Sequence, residues 1–229
     1  MRISRLLFFL LLGLACWARS RPVRWLEDCE VQGPRRSGSL ILFPLSGSRE
    51  ALPRCRSLDS ALMQDEVVVR ELREEGEVNR LVVENRGDRP VFIMAGEILC
   101  GARQDRVLKN DLWLPADSGP VTVAVYCVEH GRWGYKSDKR KFDSGGSISN
   151  LRVRQAAMSE AGQGAVWDSV AETQKANGVA SASGALRVVY EDGRLSRRLD
   201  DVVSDLRDLP DDDPEMNGVA VQIEDRIVA

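Results

Sequence analysis

The chain has 229 residues, 43% of them hydrophobic and 29% charged, with a formal net charge of −3. That length is ample for a real core and suits one domain, or one domain with an elaboration. The acid excess excludes general nucleic-acid binding, because that affinity comes mostly from neutralising phosphates.

The first five residues carry Arg2 and Arg5, and an unbroken apolar run follows over residues 6–16. Charge, then a short apolar stretch, then small residues at Ala18 and Ser20 is the pattern of a secretory signal. The run is shorter than the roughly 20 apolar residues a permanent membrane span needs. Residues 1–20 are therefore expected to be a signal peptide. Residues 21–229 are expected to form a single α+β domain with no transmembrane helix, working in the periplasm or outside the cell. Lipidation of Cys16 is the alternative, which Gly13 and Leu14 before Ala15 fit poorly. Losing Arg2, Arg5 and Arg19 takes the basic count from 32 to 29 against 35 acids, leaving a net charge of −6. Export permits disulfides among Cys29, Cys55, Cys100 and Cys127. Cys29 and Cys55 flank a segment rich in Gly, Pro and Ser and are the preferred pair. Cys100 and Cys127 sit in apolar runs and read as small core residues.

In chain order, short strands are predicted over 40–43, 67–72, 80–84, 91–99, 107–114 and 121–129, with one helix over 57–63 capped by Ser57. Strands at that spacing, divided by turn residues, predict an antiparallel β-sandwich or barrel-like core. Residues 136–150 read as a charged, then Gly/Ser-rich, loop. Asn150 is placed to cap a helix running to about Ala161, and a second helix closes at Gly178. Residues 186–190 read as a strand. Leu195, Leu199, Val202, Val203 and Leu206 recur at threes and fours, the mark of an amphipathic helix that Pro210 ends. The expected fold is thus an antiparallel core followed by two or three helices. The acidic run at Asp211, Asp212 and Asp213 lacks calcium-loop spacing and reads as a solvated turn. Val219, Val221 and Ile223 alternate as a strand whose return is only three residues long, so the chain is expected to be cut short at its C-terminus.

Two segments are unusual for plain strands. In the second, Val121, Val123, Val125 and Cys127 share a face that ends on Glu129, and in the first Val91, Ile93 and Ala95 lead to Glu97. Inward carboxylates at the ends of apolar faces need partners, and the planar forks of Arg106 and Arg132 are the obvious ones. One reading is an internal salt-bridge network that fixes strand register. The other is a polar pocket, with Gln104, Asp105, Arg106 and Arg132 binding an anion and Trp133 as its wall. A hard cation held by Glu97, Asp105 and Glu129 is a weaker third. His130, the lone histidine, alternates away from Cys127 and Glu129, so a nucleophile–base pair with Cys127 is awkward. Trp113 and Trp167 read as core packing.

Val83-Glu84-Asn85-Arg86-Gly87-Asp88, then Gly96-Glu97 with Gln104-Asp105-Arg106, then Glu129-His130-Gly131-Arg132-Trp133, together resemble one domain family. It is named for its association with ADP-ribosyl glycohydrolase and rhodanese-phosphatase superfamily proteins. The similarity runs from about Leu40 to about Tyr190, and more weakly to Val221. It marks Glu97, Gln104, Arg106, Glu129, Arg132 and Trp133 as signature positions without assigning their roles, and its link to ADP-ribose or phosphate is one of neighbourhood. Three functions follow as expectations. The preferred one is a binding module for an anionic small molecule or a protein partner. The second is a hydrolase of a phosphate- or ADP-ribose-containing substrate, with Glu97 or Glu129 as general base and Arg106 and Arg132 stabilising charge. The third is a structural envelope protein.

Overall fold

A computed structural model describes residues 29–47, 55–73, 75–134, 141–209 and 215–228. The predicted signal peptide, Pro210 and the acidic run at 211–213 lie outside the described residues. In chain order the elements are β1 (Cys29–Val31), β2 (Arg35–Ser37), β3 (Leu40–Gly47), β4 (Arg56–Ser57), α1 (Leu58–Met63), β5 (Val67–Glu71) and β6 (Arg80–Asn85). Then come β7 (Val91–Ile93), β8 (Glu97–Gly101), β9 (Arg106–Leu108), β10 (Leu112–Leu114), β11 (Gly119–Cys127) and β12 (Phe142–Ile148). The remainder is α2 (Leu151–Met158), α3 (Gly162–Asn177), α4 (Arg187–Glu191), α5 (Gly193–Leu206), β13 (Met216–Ile223) and β14 (Arg226–Ile227). This is an α+β fold with a largely antiparallel, barrel-like core.

The chain divides into two compact units, one from residues 1–51 with 201–229 and one from residues 52–200. In the first, β3 is the centre of a sheet that pairs β1, β2 and β13, with β14 folded back on β13. Ser37 Oγ donates to Asp205 Oδ2 at 2.6 Å, tying this sheet to the end of α5.

The second unit holds a six-stranded sheet in the order β12-β8-β9-β11-β6-β5. The sheet curls until its two edges meet at an antiparallel bridge between Arg70 and Lys141. Its inner face is apolar, with Val67, Val69, Leu81, Val83, Leu99, Leu108, Val123, Val125 and Phe142 packed together and Leu58 of α1 against them. The alternate residues point outward, as strand geometry requires. At one end those outward residues, Ile98 and Val107, are covered by Val153, Val166, Val170 and Val189 of α2, α3 and α4. A three-stranded sheet, β10-β7-β4, includes one parallel pair, β4 with β7.

The predicted caps hold. Ser57 Oγ accepts from the Ser60 N–H at 3.3 Å, and Asn150 Oδ1 from the Val153 N–H at 3.1 Å. Gly178 ends α3 in the left-handed region at φ +66. Several expectations need correction. The strand predicted over 91–99 is broken between β7 and β8, because Gly96 sits at φ +91, where a side chain would also strike Arg154 and Ser149. The loop predicted over 136–150 contains β12. There Gly145 lets the chain approach β8 so closely that an added Cβ would lie 2.8 Å from the Ile98 carbonyl oxygen. The strand predicted over 186–190 is α4: Leu186 and Val189 face the helical layer, and a three-residue spacing serves that better than alternation. None of the four described cysteines is in a disulfide, including the preferred pair Cys29 and Cys55. Trp113, expected in the core, is 43% exposed. No helix among the described residues is long and apolar enough to cross a membrane.

Candidate functional site

Three strands of the curled sheet carry apolar inward faces that turn polar at the same end. On β5 the inward series is Val67, Val69 and Glu71; on β11 it is Val123, Val125 and Cys127; on β9, Leu108 is followed by Arg106. Register sets Cys127 and Arg106 side by side and Glu71 two inward positions short of them. Cys127 lies opposite Arg106, Val123 opposite Leu81, and Leu81 opposite Glu71. The end of β11 is held by α3, where Gln163 accepts from the Cys127 N–H and donates to its carbonyl oxygen, both at 2.8 Å. Beyond β11, Val128 N–H donates to the Asp105 carbonyl, and Glu129 forms an isolated bridge with Ala185.

Around this end lie two arginines in different circumstances, Arg132 part-buried and Arg106 fully buried. The first, Arg132, is saturated. Its Nε and Nη2 both reach Glu129 Oε2, at 2.8 and 2.6 Å, and Nη2 also reaches Asp105 Oδ1 at 3.2 Å. Its Nη1 donates to the carbonyl oxygens of Ala102 and Gly134, at 2.8 and 2.7 Å. Glu129 takes two further hydrogen bonds, from the Asp105 N–H and from Ser183 Oγ. Asp105 Oδ1 also accepts from the Gly101 N–H, and Asp105 Oδ2 lies 3.2 Å from Arg187 Nε in an ion pair. Burial pushes the Glu129 carboxyl up, but the hydrogen bonds from Arg132, Ser183 and Asp105 outweigh it and hold the group below the usual carboxylate range. Glu129 is thus a fixed anion, and a poor proton acceptor at neutral pH. Arg132 has no N–H left for a ligand.

The second, Arg106, is fully buried and barely bonded. Among the described residues only Nη1 donates, to Gln104 Oε1 at 3.2 Å. Nε and Nη2 have no hydrogen-bond partner among the described residues. Burial pulls the Arg106 pKa down, Cys127 and Glu71 push it back up, and the net shift is downward. Gln104 is held in place by its Nε2, which donates to the Glu129 carbonyl at 2.9 Å, and its Oε1 also accepts from Cys127 Sγ at 3.0 Å. Burial raises the Cys127 thiol above its ordinary range despite Arg106, so Cys127 is a neutral donor at physiological pH. Trp133, 49% exposed, has two guanidiniums over its ring, Arg103 at 5.6 Å and Arg106 at 5.9 Å from the centroid.

Of the seven residues singled out in the sequence, six gather here: Gln104, Asp105, Arg106, Glu129, Arg132 and Trp133. Glu97 stands apart at the start of β8, where its Oε1 accepts from the Met94 N–H at 2.9 Å. Burial raises its pKa, the Met94 bond lowers it and Asp59 raises it, for a net rise. Among the described residues no three His, Cys, Asp or Glu side chains gather as a metal site. His130 packs edge-on against Trp167, with centroids 4.3 Å apart. Three functional-region residues escaped the sequence reading. Arg187 lay in the segment read as a strand, and Ser183 in a small-residue loop. Glu71 was legible by alternation, since it follows Val67 and Val69 on one face, as Glu129 follows Val125 and Cys127. The groove between α1, β5 and β12, about 420 Å³, is lined by Asp59, Asp65, Lys141 and Asp143 and contains none of these residues.

No curated protein and no solved structure matches the chain. A family model does match, over residues 28–229, and the match takes in both arginines and every partner named above. The chain belongs to the ARG and Rhodanese-Phosphatase-superfamily-associated Protein domain family.

Proposed function

We propose that the domain is a binding module for a small anionic molecule, held by the guanidinium of Arg106. The observation that carries this reading is the contrast in satisfaction. A buried guanidinium with two nitrogens unpaired is expensive, whereas the same cluster bonds Arg132 completely. A bidentate oxyanion would satisfy Nε and Nη2 together, and Trp133 would swing aside to admit it. Catalysis fits less well. Glu129 is held ionised, Cys127 is held neutral, and Arg132 is fully engaged. A hydrolase reading keeps one supporting observation: Glu97, with its raised pKa, makes no ion pair among the described residues. The charge and apolar pattern of residues 1–20 supports action after export.

The test is a thermal-shift screen of the full chain against phosphate, sulfate, carboxylates, nucleotides and ADP-ribose. A ligand at 100 times its Kd should add about 2.7 kcal/mol of stability, several degrees in a domain of this size. The shift should vanish in Arg106→Met. A cooperative melt that no anion moves would refute the reading. Turnover of a phosphate ester that is lost in Glu97→Gln would favour the hydrolase.

A further inference from the structure

We propose that Glu71 makes the Arg106 site selective for a tetrahedral oxyanion that still carries a proton, the class of inorganic phosphate rather than sulfate. The inference rests on the reading that Arg106 holds the anion. Glu71 is buried at 7% exposure on the inward face of β5, and among the described residues both of its carboxylate oxygens lack a hydrogen-bond partner. It lies near enough to act on the charge of Arg106 and on Cys127, yet no ion pair joins it to Arg106. One barrel end therefore presents two orphaned donors, Arg106 Nε and Nη2, and two orphaned acceptors, Glu71 Oε1 and Oε2. Carboxylate oxygens accept hydrogen bonds.

A ligand that completes this set must accept from the guanidinium and donate to the carboxylate. At neutral pH inorganic phosphate keeps at least one proton and can do both. Sulfate has the same shape and charge class but no proton. Placed here, it would set its lone pairs against those of Glu71 and leave that carboxylate buried and unpaired. Sites built to hydrogen-bond a ligand O–H reject the analogue that lacks it by large factors, because their own buried groups are then stranded. Glu71 thus acts as the specificity-determining residue, and Arg106 supplies the affinity.

Titration calorimetry on the full chain at pH 7.5 tests this with inorganic phosphate, sulfate and monofluorophosphate, the last a dianion with fluorine in place of the hydroxyl. Phosphate should bind at least about 100-fold more tightly than either proton-free anion. Glu71→Gln should bring the three affinities within about threefold, since an amide can donate to sulfate. Equal affinities in the unmodified chain would overturn the role of Glu71 while leaving Arg106 as the anion site. No binding of any anion would overturn both. Because the ligand comparison is made first on the unmodified chain, the proposal stays testable even if Glu71→Gln does not fold.

Discussion

Arg132 and Arg106 sit at the same end of one curled sheet, and they solve the problem of burial in opposite ways. Arg132 is surrounded by the carboxylates of Glu129 and Asp105 and by three carbonyl oxygens. Among the described residues Arg106 has one hydrogen bond, to Gln104, and Glu71 nearby has a carboxylate with no hydrogen-bond partner. On the proposed reading, the difference separates a structural ion cluster from a binding group. A network that only fixes strand register has every reason to be complete, as Arg132 is. A buried polar group left incomplete costs stability, and a ligand can recover that cost.

The comparison breaks most visibly at Arg132. Arg132→Met should destabilise the domain by about 3–5 kcal/mol in a urea melt, because Glu129 is left as an uncompensated buried charge and Asp105 keeps only the ion pair with Arg187. Arg132→Lys should rescue little, since a point charge cannot reproduce the fork. Next in size is Glu129→Gln, which should cost about 1.5–3 kcal/mol by removing charge-assisted bonds. The sign with pH is fixed by the direction of the shift. Glu129 is held below its ordinary range in the fold, so its contribution is present above the unfolded value of about 4.3. That contribution is lost as pH falls through the lower folded value. A pH series of melts should show a shallower acid limb in Glu129→Gln than in the unmodified chain.

The Arg106 side should behave otherwise. Replacing both groups in the double variant Glu71→Leu, Arg106→Met should change stability by under about 1 kcal/mol or raise it, since exchanging buried, incompletely bonded polar groups for apolar ones removes their desolvation cost. A loss as large as that of Arg132→Met would mean the two arginines do the same structural work. The smallest effect belongs to Glu97. Its pKa is raised in the fold, so its stabilising contribution is full below the unfolded value and is lost as pH rises through the folded one. Glu97→Gln should therefore add up to about 0.5 kcal/mol at pH 7, and the gain should fade by about pH 4.

The sheet and its inward faces were readable because alternation is a local property. The valines of β5, β6 and β11 report their own burial, and Ser57 and Asn150 report their own caps. Closure was not readable, because it depends on β12, whose Phe142-Asp143-Ser144-Gly145-Gly146 stretch has the composition of a loop. Its glycines serve close approach to β8. Glu97 was misplaced for a related reason: alternation was carried through Gly96, where the backbone turns. Arg106 and Arg132 lie in one region with Glu129, but the division of partners depends on which fork each carboxylate meets, and no spacing encodes that. Arg187 reaches Asp105 from α4, across more than eighty residues of chain.

The most direct measurement is a crystal structure of the full chain grown with arsenate, a protonated phosphate analogue, with the arsenic located by its anomalous signal. The account predicts arsenic density at the barrel end, with one oxygen pair within hydrogen-bond distance of Arg106 Nε and Nη2 and a third oxygen against Glu71. Arg106 and Glu71 bridged only by water at saturating arsenate would contradict it.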